Sequence, residues 1–288
     1  MKKKNIYIEP EKKLKIYGNY DVVVIGGGCA GLSSAIASAR NGAKTIIIER
    51  FPFFGGTATA SLMGNINGFR NQVEPDGLQT TKGIGEEFIL DLIKIEGIGR
   101  VPSVYKSKIY PNTKGLLSYS FAVDTEKLKY IMLKKVVDAG VDILFHTYFS
   151  DIIKEKKSVM GVIFENKSGR QVVFGKVIID ASGDGDVAFK SGVPFWQVIK
   201  KEEYRLTDCL MYKVTEFPMN HNIKGCESNR NLVLWGPDPG PIDATNAVDL
   251  TNGEIKARLG VYTDFEEKKK KYTDLKHARI IETGVLAQ

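Results

Sequence analysis

From Tyr20 onward, apolar and polar blocks alternate in an order that predicts strand, helix and strand within about thirty residues. Asp21 to Ile25 is an apolar, β-branched run, Ala30 to Asn41 is a stretch of small residues suited to a helix, and Thr45 to Ile48 is apolar again. Glycines separate the first two blocks. Gly42 stands where a helix often ends in a left-handed residue. Such a βαβ crossover implies parallel strands with both faces buried.

Downstream, residues 52–120 are rich in Gly, Asn and Pro, with one helix expected over about Gly85 to Ile95, and they read as an insertion. Residues 124–139 predict an amphipathic helix with Leu128, Ile131, Met132, Leu133 and Val136 on its apolar face. Short strands are expected at Val141 to Thr147, at Val159 to Glu165 and, after the Lys167-Ser168-Gly169 turn, at Gln171 to Phe174. Val177 to Asp180 is a fully apolar run closed by Ala181-Ser182-Gly183-Asp184-Gly185-Asp186. Residues 1–18 read as a polar lead-in, and beyond Ser191 the pattern is mixed.

Composition changes this picture little. A chain of 288 residues, 43% hydrophobic and 26% charged, has ample material for one large domain or two modest ones. The net charge of +7 gathers in two runs, Lys2 to Lys4 with Lys12 and Lys13, and Lys268 to Lys271. Both read as solvated ends or helix faces, not as a nucleic-acid or membrane patch. Cys29, Cys209 and Cys226 form neither a disulfide framework nor a metal-site spacing, which points to a reducing compartment. No signal-peptide-like run and no segment of about 18 apolar residues occurs, so the expected location is the cytoplasm.

The chemistry concentrates at Gly26-Gly27-Gly28-Cys29-Ala30-Gly31, a G-x-G-x-x-G string placed between a buried strand and a helix. Gly26 permits the tight turn, Gly28 lets backbone approach a diphosphate, and Gly31 lets the helix pack on the strand. Glu49 closes the next strand, where a carboxylate accepts ribose hydroxyl protons and repels a 2′-phosphate, arguing against NADP. Three features favour FAD over NAD. A second glycine pair, Gly55-Gly56, follows in the string Phe53-Phe54-Gly55-Gly56-Thr57; an extended loop replaces the next βα unit; and a strand-rich excursion returns to Val177 to Asp180.

These stretches resemble the FAD-dependent oxidoreductases of the glutathione-reductase-like fold, a branch related to fumarate-reductase flavoproteins. The matching segments are DVVVIGGGCAGLSSAIASARNGAKTIIIER, FFGGTATA, VDTEKLKY to DILFHT, and GKVIIDASGDGDVAFKSGVPF, with DLTNGEIKAR as a fainter echo. The resemblance implies an α/β fold: a Rossmann-like FAD-binding domain over 19–70 and 121–192. A substrate or cap region, expected to be incomplete, would take 71–120 and 193–288. It implies Gly26, Gly28 and Gly31, with Cys29 and Ala30 between them, on the pyrophosphate. Glu49 falls on the adenosine ribose, Arg50 beside the adenine, and Gly55, Gly56 and Thr57 at the flavin end. Phe149 is placed where main chain meets adenine. Ala181, Ser182 and Gly183, with Asp184, pass over the cofactor; for Asp184 and Asp186 the alternative is helix capping. No His lies in the FFGGTAT loop, so the flavin is expected to be held non-covalently.

The family's further C-terminal strand, Gly-Asp turn and helix have no counterpart here. Asn231 to Trp235 leads into Gly236-Pro237-Asp238-Pro239-Gly240-Pro241, which reads as a loop, and HARIIETGVLAQ reads as helical. A fragment or shortened protein is therefore expected. The readings carried forward are an oxidoreductase acting on a small molecule, a truncated or non-catalytic FAD-binding protein, and a flavoprotein acting on tRNA. Catalytic residues are left unassigned and no metal is expected. Cys29 reads as a small residue tolerated in the turn, while His221, His277, Arg70 and Arg205 read as structural or surface residues before candidates for proton transfer or carboxylate binding. Thr251 with Glu254 reads as a capping box.

Overall fold

The computed structural model describes residues 7–71, 78–99, 120–196, 209–221 and 223–287. Its elements begin with β1 (Lys15–Ile25), α1 (Cys29–Arg40), β2 (Thr45–Ile48), α2 (Thr57–Ala60), β3 (Asn65–Asn67), α3 (Ile84–Lys94) and β4 (Ile98–Gly99). There follow β5 (Ser120–Val123), α4 (Thr125–Asp138), β6 (Asp142–Leu144), β7 (Tyr148–Glu155), β8 (Ser158–Asn166), β9 (Gly169–Asp180) and α5 (Asp186–Ser191). The last part holds β10 (Tyr212–Thr215), β11 (Cys226–Ser228), β12 (Asn231–Leu234), α6 (Ala247–Lys271) and β13 (Arg279–Thr283). No helix among the described residues is long and apolar enough to cross a membrane.

The main sheet runs β6-β2-β1-β9-β8-β7. Its β6, β2, β1 and β9 are parallel, and β8 and β7 continue it antiparallel. Alternate residues of β1 enter different cores, which explains its unbroken apolar run. Val22 and Val24 pack with Leu32, Ala35 and Ile36 of α1 and Leu128, Met132 and Val136 of α4. Val23 and Ile25 face Val162, Phe164, Val173 and Val187 on the other side. A smaller sheet, β3-β5-β4, and a four-stranded one, β11-β12-β10-β13, complete the α/β architecture. Leu62, Ala122, Met211, Cys226 and Val233 form a core between these two.

Several expectations need correction. The strand β1 starts at Lys15, because the lead-in pairs with β9 from Lys15↔Gln171 to Tyr20↔Gly175 through its backbone. Two predicted strands are the single β9, and β7 was not foreseen. HARIIETGVLAQ is not helical: Arg279–Thr283 is β13, with Ile280 turned into the core beside Tyr212 and Val214. The capping box at Thr251 also fails. Asn246 caps α6 by accepting from the Val248 and Asp249 amides, Thr251 donates to Ala247 O inside the helix, and Glu254 accepts from Ala287 N. Lys268 to Lys271 form the last turn of α6, where positive charge suits the helix dipole; Lys2 to Lys4 lie outside the described residues. The proline-rich stretch after β12 is a loop, as read.

Two cations tie α1 and α4 to α3. Arg40 donates to both Glu87 oxygens at 2.7 and 2.8 Å, and Lys135 of α4 reaches Glu87 at 3.2 Å and Asp91 at 2.7 Å. The Arg40 guanidinium holds the Glu87 carboxyl down at about 2, against an ordinary 4.5. A depressed carboxyl stabilises the fold above its unfolded value, and that contribution disappears as pH falls from 4.5 towards 2. Glu87→Gln is expected to cost less than about 1 kcal/mol at neutral pH, since both partners are more than a third exposed. It should also flatten the loss of stability in that acid window, measured by urea unfolding at several pH values.

Candidate functional site

At the carboxyl ends of β1, β2 and β9 lies a cleft of about 480 Å³. Gly26 turns the chain out of β1 with φ +98°, a left-handed conformation that favours glycine. A Cβ on Gly26 would sit 2.2 Å from Ala181 O, because Ala181 N donates to Ile25 O and keeps the two strand ends side by side. Gly31 lies behind the cleft, where a Cβ would come within 1.9 Å of Gly26 O. Its role is to seat α1 on the turn.

Gly28 differs from both. Its φ is −74°, open to any residue, and a Cβ there would find only Gly56 Cα, at 4.0 Å. Nothing in the protein's own packing requires glycine at Gly28; the space is left for something else. Gly28 precedes the twelve-residue α1, which has no acidic residue in its first turn and no side-chain cap. The first intrahelical bond near the cleft is Leu32 N to Gly28 O, so the preceding amides remain for an anion, which the helix dipole favours. The residues therefore fit a diphosphate.

The second glycine pair completes the cradle. Gly55 N donates to Gly27 O at 2.8 Å, and Gly28 and Gly55 form a parallel bridge. Gly55 and Gly56 both have positive φ, and a Cβ on Gly56 would meet Gly28 Cα at 3.2 Å. Thr57 then opens α2 at the cleft's edge.

Glu49 is 5% exposed and lines the cleft from the end of β2. Its Oε2 accepts from Gly27 N at 2.5 Å and its Oε1 from Phe51 N at 2.8 Å. These two bonds fix the carboxylate beside the glycine turn and leave lone pairs for incoming hydroxyls. Arg50 rests over the Phe51 ring, Phe51 stacks on Phe53, and Lys129 covers the Phe53 ring at 4.2 Å. Arg50 also opposes the negative charge of Asp186, whose carboxyl is raised first by burial and then by Asp184 and Asp180.

All the residues anticipated for the cofactor line this cleft except Gly31. Gly26, Gly28, Cys29, Ala30, Glu49, Arg50, Gly55, Gly56, Thr57, Phe149, Ala181, Ser182, Gly183 and Asp184 come together from five separate stretches. Cys29 is exposed at the cleft, yet the desolvating wall around its thiol raises it and so opposes a thiolate there. Other lining residues went unforeseen, among them Thr147, Tyr148 and Leu286. Leu286 arrives because Val285 N donates to Ala60 O and Gly284 N to Met211 O; no local signal announces this.

Asp180 was also missed. Its carboxylate accepts from Ser182 N, Ser182 Oγ and Ala188 N, holding the Ala181–Gly183 turn and the start of α5. The capping alternative for Asp184 and Asp186 is thereby corrected: the α5 cap is Gly185, left-handed and without a side-chain bond. An acid closing a strand ahead of a Ser-Gly turn was the available clue. His221 is buried away from the cleft, its Nδ1 accepting from Ile223 N and its Nε2 3.4 Å from Glu227. His277 is exposed, and neither His277 nor Arg70 lines the cleft. Arg205 lies outside the described residues.

Comparison with known proteins gives the family and the fold. The family model for FAD dependent oxidoreductase matches residues 21–283. Digeranylgeranylglycerophospholipid reductase 2 of Methanothermobacter thermautotrophicus is 30% identical over 175 residues, 60% of this chain and 42% of that protein. The tRNA uridine 5-carboxymethylaminomethyl modification enzyme MnmG of Alkaliphilus oremlandii is 28% identical over 195 residues, covering 61% of this chain and 27% of its own. The chain thus spans less than half the length of these two curated relatives. A geranylgeranyl bacteriochlorophyll reductase-like protein of Thermoplasma acidophilum superposes with a TM-score of 0.59 at 16% identity, covering 94% of this chain and 66% of that one. The myxobacterial halogenase CndH gives 0.55 at 16% identity over 94% and 63% of the two chains. These two share the fold.

Proposed function

Because the chain belongs to the FAD-dependent oxidoreductase family, we propose that it holds FAD non-covalently in this cleft and moves a hydride or electrons between FAD and a small-molecule substrate. The observation that carries the reading is Gly28, a glycine that its own surroundings do not need, at the mouth of an uncapped helix and near a buried glutamate. Bound FAD supplies the redox chemistry through its isoalloxazine. This chain supplies position and charge. The amides from Gly28 to Gly31 take the diphosphate, those of Gly26 and Gly27 being bonded to Ile48 O and Glu49, while Glu49 accepts the ribose hydroxyls and Arg50 on its aromatic stack flanks the adenine. Gly55, Gly56 and Thr57 lie toward the flavin, with the 181–184 turn across the cleft. In this reading 19–70 with 121–192 hold the cofactor, 71–120 with 193–288 face the substrate, and the protein works in the cytoplasm.

Two experiments bear on it. Glu49→Gln removes the charge and sets an NH2 against one of the two amides that Glu49 holds, so the turn loosens as charge-assisted bonds of about 1.5–3 kcal/mol are lost; FAD affinity should fall at least about 10- to 100-fold in a fluorescence titration, with melting of the apoprotein recording the loosening. For turnover, FAD-loaded protein is reduced anaerobically with dithionite and mixed with candidate acceptors. Reoxidation faster than that of free reduced FAD supports an oxidoreductase; bleaching without any accelerated return identifies a cofactor-binding protein that does not turn over. The 28% relative that modifies tRNA supports a second reading, which predicts tRNA binding that weakens steeply with salt.

A further inference from the structure

We propose that the outward face of α6 is a self-association seam on which two copies of this chain pair as antiparallel helices. The helix has two apolar faces. Gly253, Ala257, Val261 and Phe265, four residues apart, are buried: the last three lie in a core with Tyr212, Val214, Leu232 and Leu234 of the β11-β12-β10-β13 sheet, and Gly253 lies against Ile242. On the far side Val248, Ile255, Leu259 and Tyr262 are 70, 52, 77 and 70% exposed. At about 100° per residue these four fall within an arc of about 60°, opposite the buried set. A surface helix with one sheet beneath it needs only one apolar face.

The spacing identifies the kind of partner. Val248, Asn252, Ile255, Leu259, Tyr262 and Glu266 follow one another at intervals of 4, 3, 4, 3 and 4, the repeat by which one helix packs along another. Asn252 occupies a position where a polar residue sets register in such seams. The charges choose the direction. At the C-terminal end Lys268 and Lys269 pair with Asp264 and Glu266 of their own helix, and Lys270 and Lys271 extend the positive charge beyond them, while Asp243 and Asp249 stand at the N-terminal end. Parallel pairing would set lysines against lysines. Reversing the partner about Ala257 places Ile255 opposite the partner's Leu259 and Asn252 opposite the partner's Tyr262. It also brings each lysine end to the other's aspartates and opposes the helix dipoles favourably. One twofold axis satisfies both halves at once, so a second copy supplies the complement.

No α6 residue lines the cleft, so this inference stands apart from the cofactor assignment. The test is the mass of the 288-residue chain by light scattering after size exclusion, at tens of micromolar. A mass near twice 31.9 kDa is expected for the wild type. Leu259→Glu and Ile255→Glu should each return it to 31.9 kDa, with circular dichroism and melting unchanged because both side chains are exposed. A wild type that stays at 31.9 kDa overturns the seam, and so does a dimer that both glutamates leave intact.

Discussion

Gly28→Val is expected to leave the chain folded and to remove FAD binding by about 100-fold or more. The backbone at Gly28, φ −74° and ψ −178°, accommodates a β-branched residue without strain. Beyond its own chain neighbours, a Cβ at Gly28 meets nothing nearer than Gly56 Cα at 4.0 Å, and the valine methyls extend from there into the cleft that Gly28 lines. The stability cost is the weaker helix cap, about 1 kcal/mol. The valine methyls would occupy the space that a diphosphate needs to reach the first-turn amides. Thermal melting without ligand and a fluorescence titration with FAD separate the two effects. A variant that binds FAD normally would remove the diphosphate from this turn.

Gly31→Ala should do the reverse. The added methyl carbon would lie 1.9 Å from Gly26 O and 3.2 Å from Ala181 Cβ. Gly26 has no freedom to retreat: its N–H is bonded to Ile48 O, and Ala181 closes the other side. Relief must come from lifting α1 off the sheet, away from Val22, Val24 and Ile47. Overpacking of this severity costs about 3 kcal/mol. The expected result is a marked drop in urea midpoint without any ligand, with FAD binding impaired as a consequence. Unchanged stability would show that the helix does not depend on this close approach. Two glycines of one motif thus fail in different ways, one by filling the cleft and one by breaking its support.

The part of the fold legible in the sequence is the part where burial dictates residue type. Asp21 to Ile25 and Thr45 to Ile48 sit at the sheet centre between helices and the second core, so their apolar runs were unambiguous, whereas Val177 to Asp180 pairs with β1 but stays partly exposed, Val177 at 52%. Lys15 to Asn19 lie on the same strand beyond that cover, where backbone pairing with β9 suffices and polar side chains are tolerated. The strand β7 is half-exposed along most of its length and lacks clean alternation. The C-terminal sheet is built of strands of three to five residues; β11 and β12 form a hairpin, but β10 joins β12 and β13 from about 20 and 70 residues away, so no local period reveals the sheet.

The site divides in the same manner. Glycine spacing and a strand-end carboxylate marked the 26–31 turn and Glu49, because backbone geometry admits few residues there. Leu286 and Asp180 act through tertiary position and a turn-specific hydrogen-bond pattern. Reading α6 went astray at Thr251 because Asn246, one turn earlier, already caps the helix.

The central claim is that the cleft grips the adenosine diphosphate part of FAD. Titrating the purified chain with FAD and with riboflavin, which lacks that part, tests it most directly. One FAD per chain should bind saturably, with riboflavin at least about 100-fold weaker. Equal affinity for the two, or no binding of FAD by the folded chain, would contradict it.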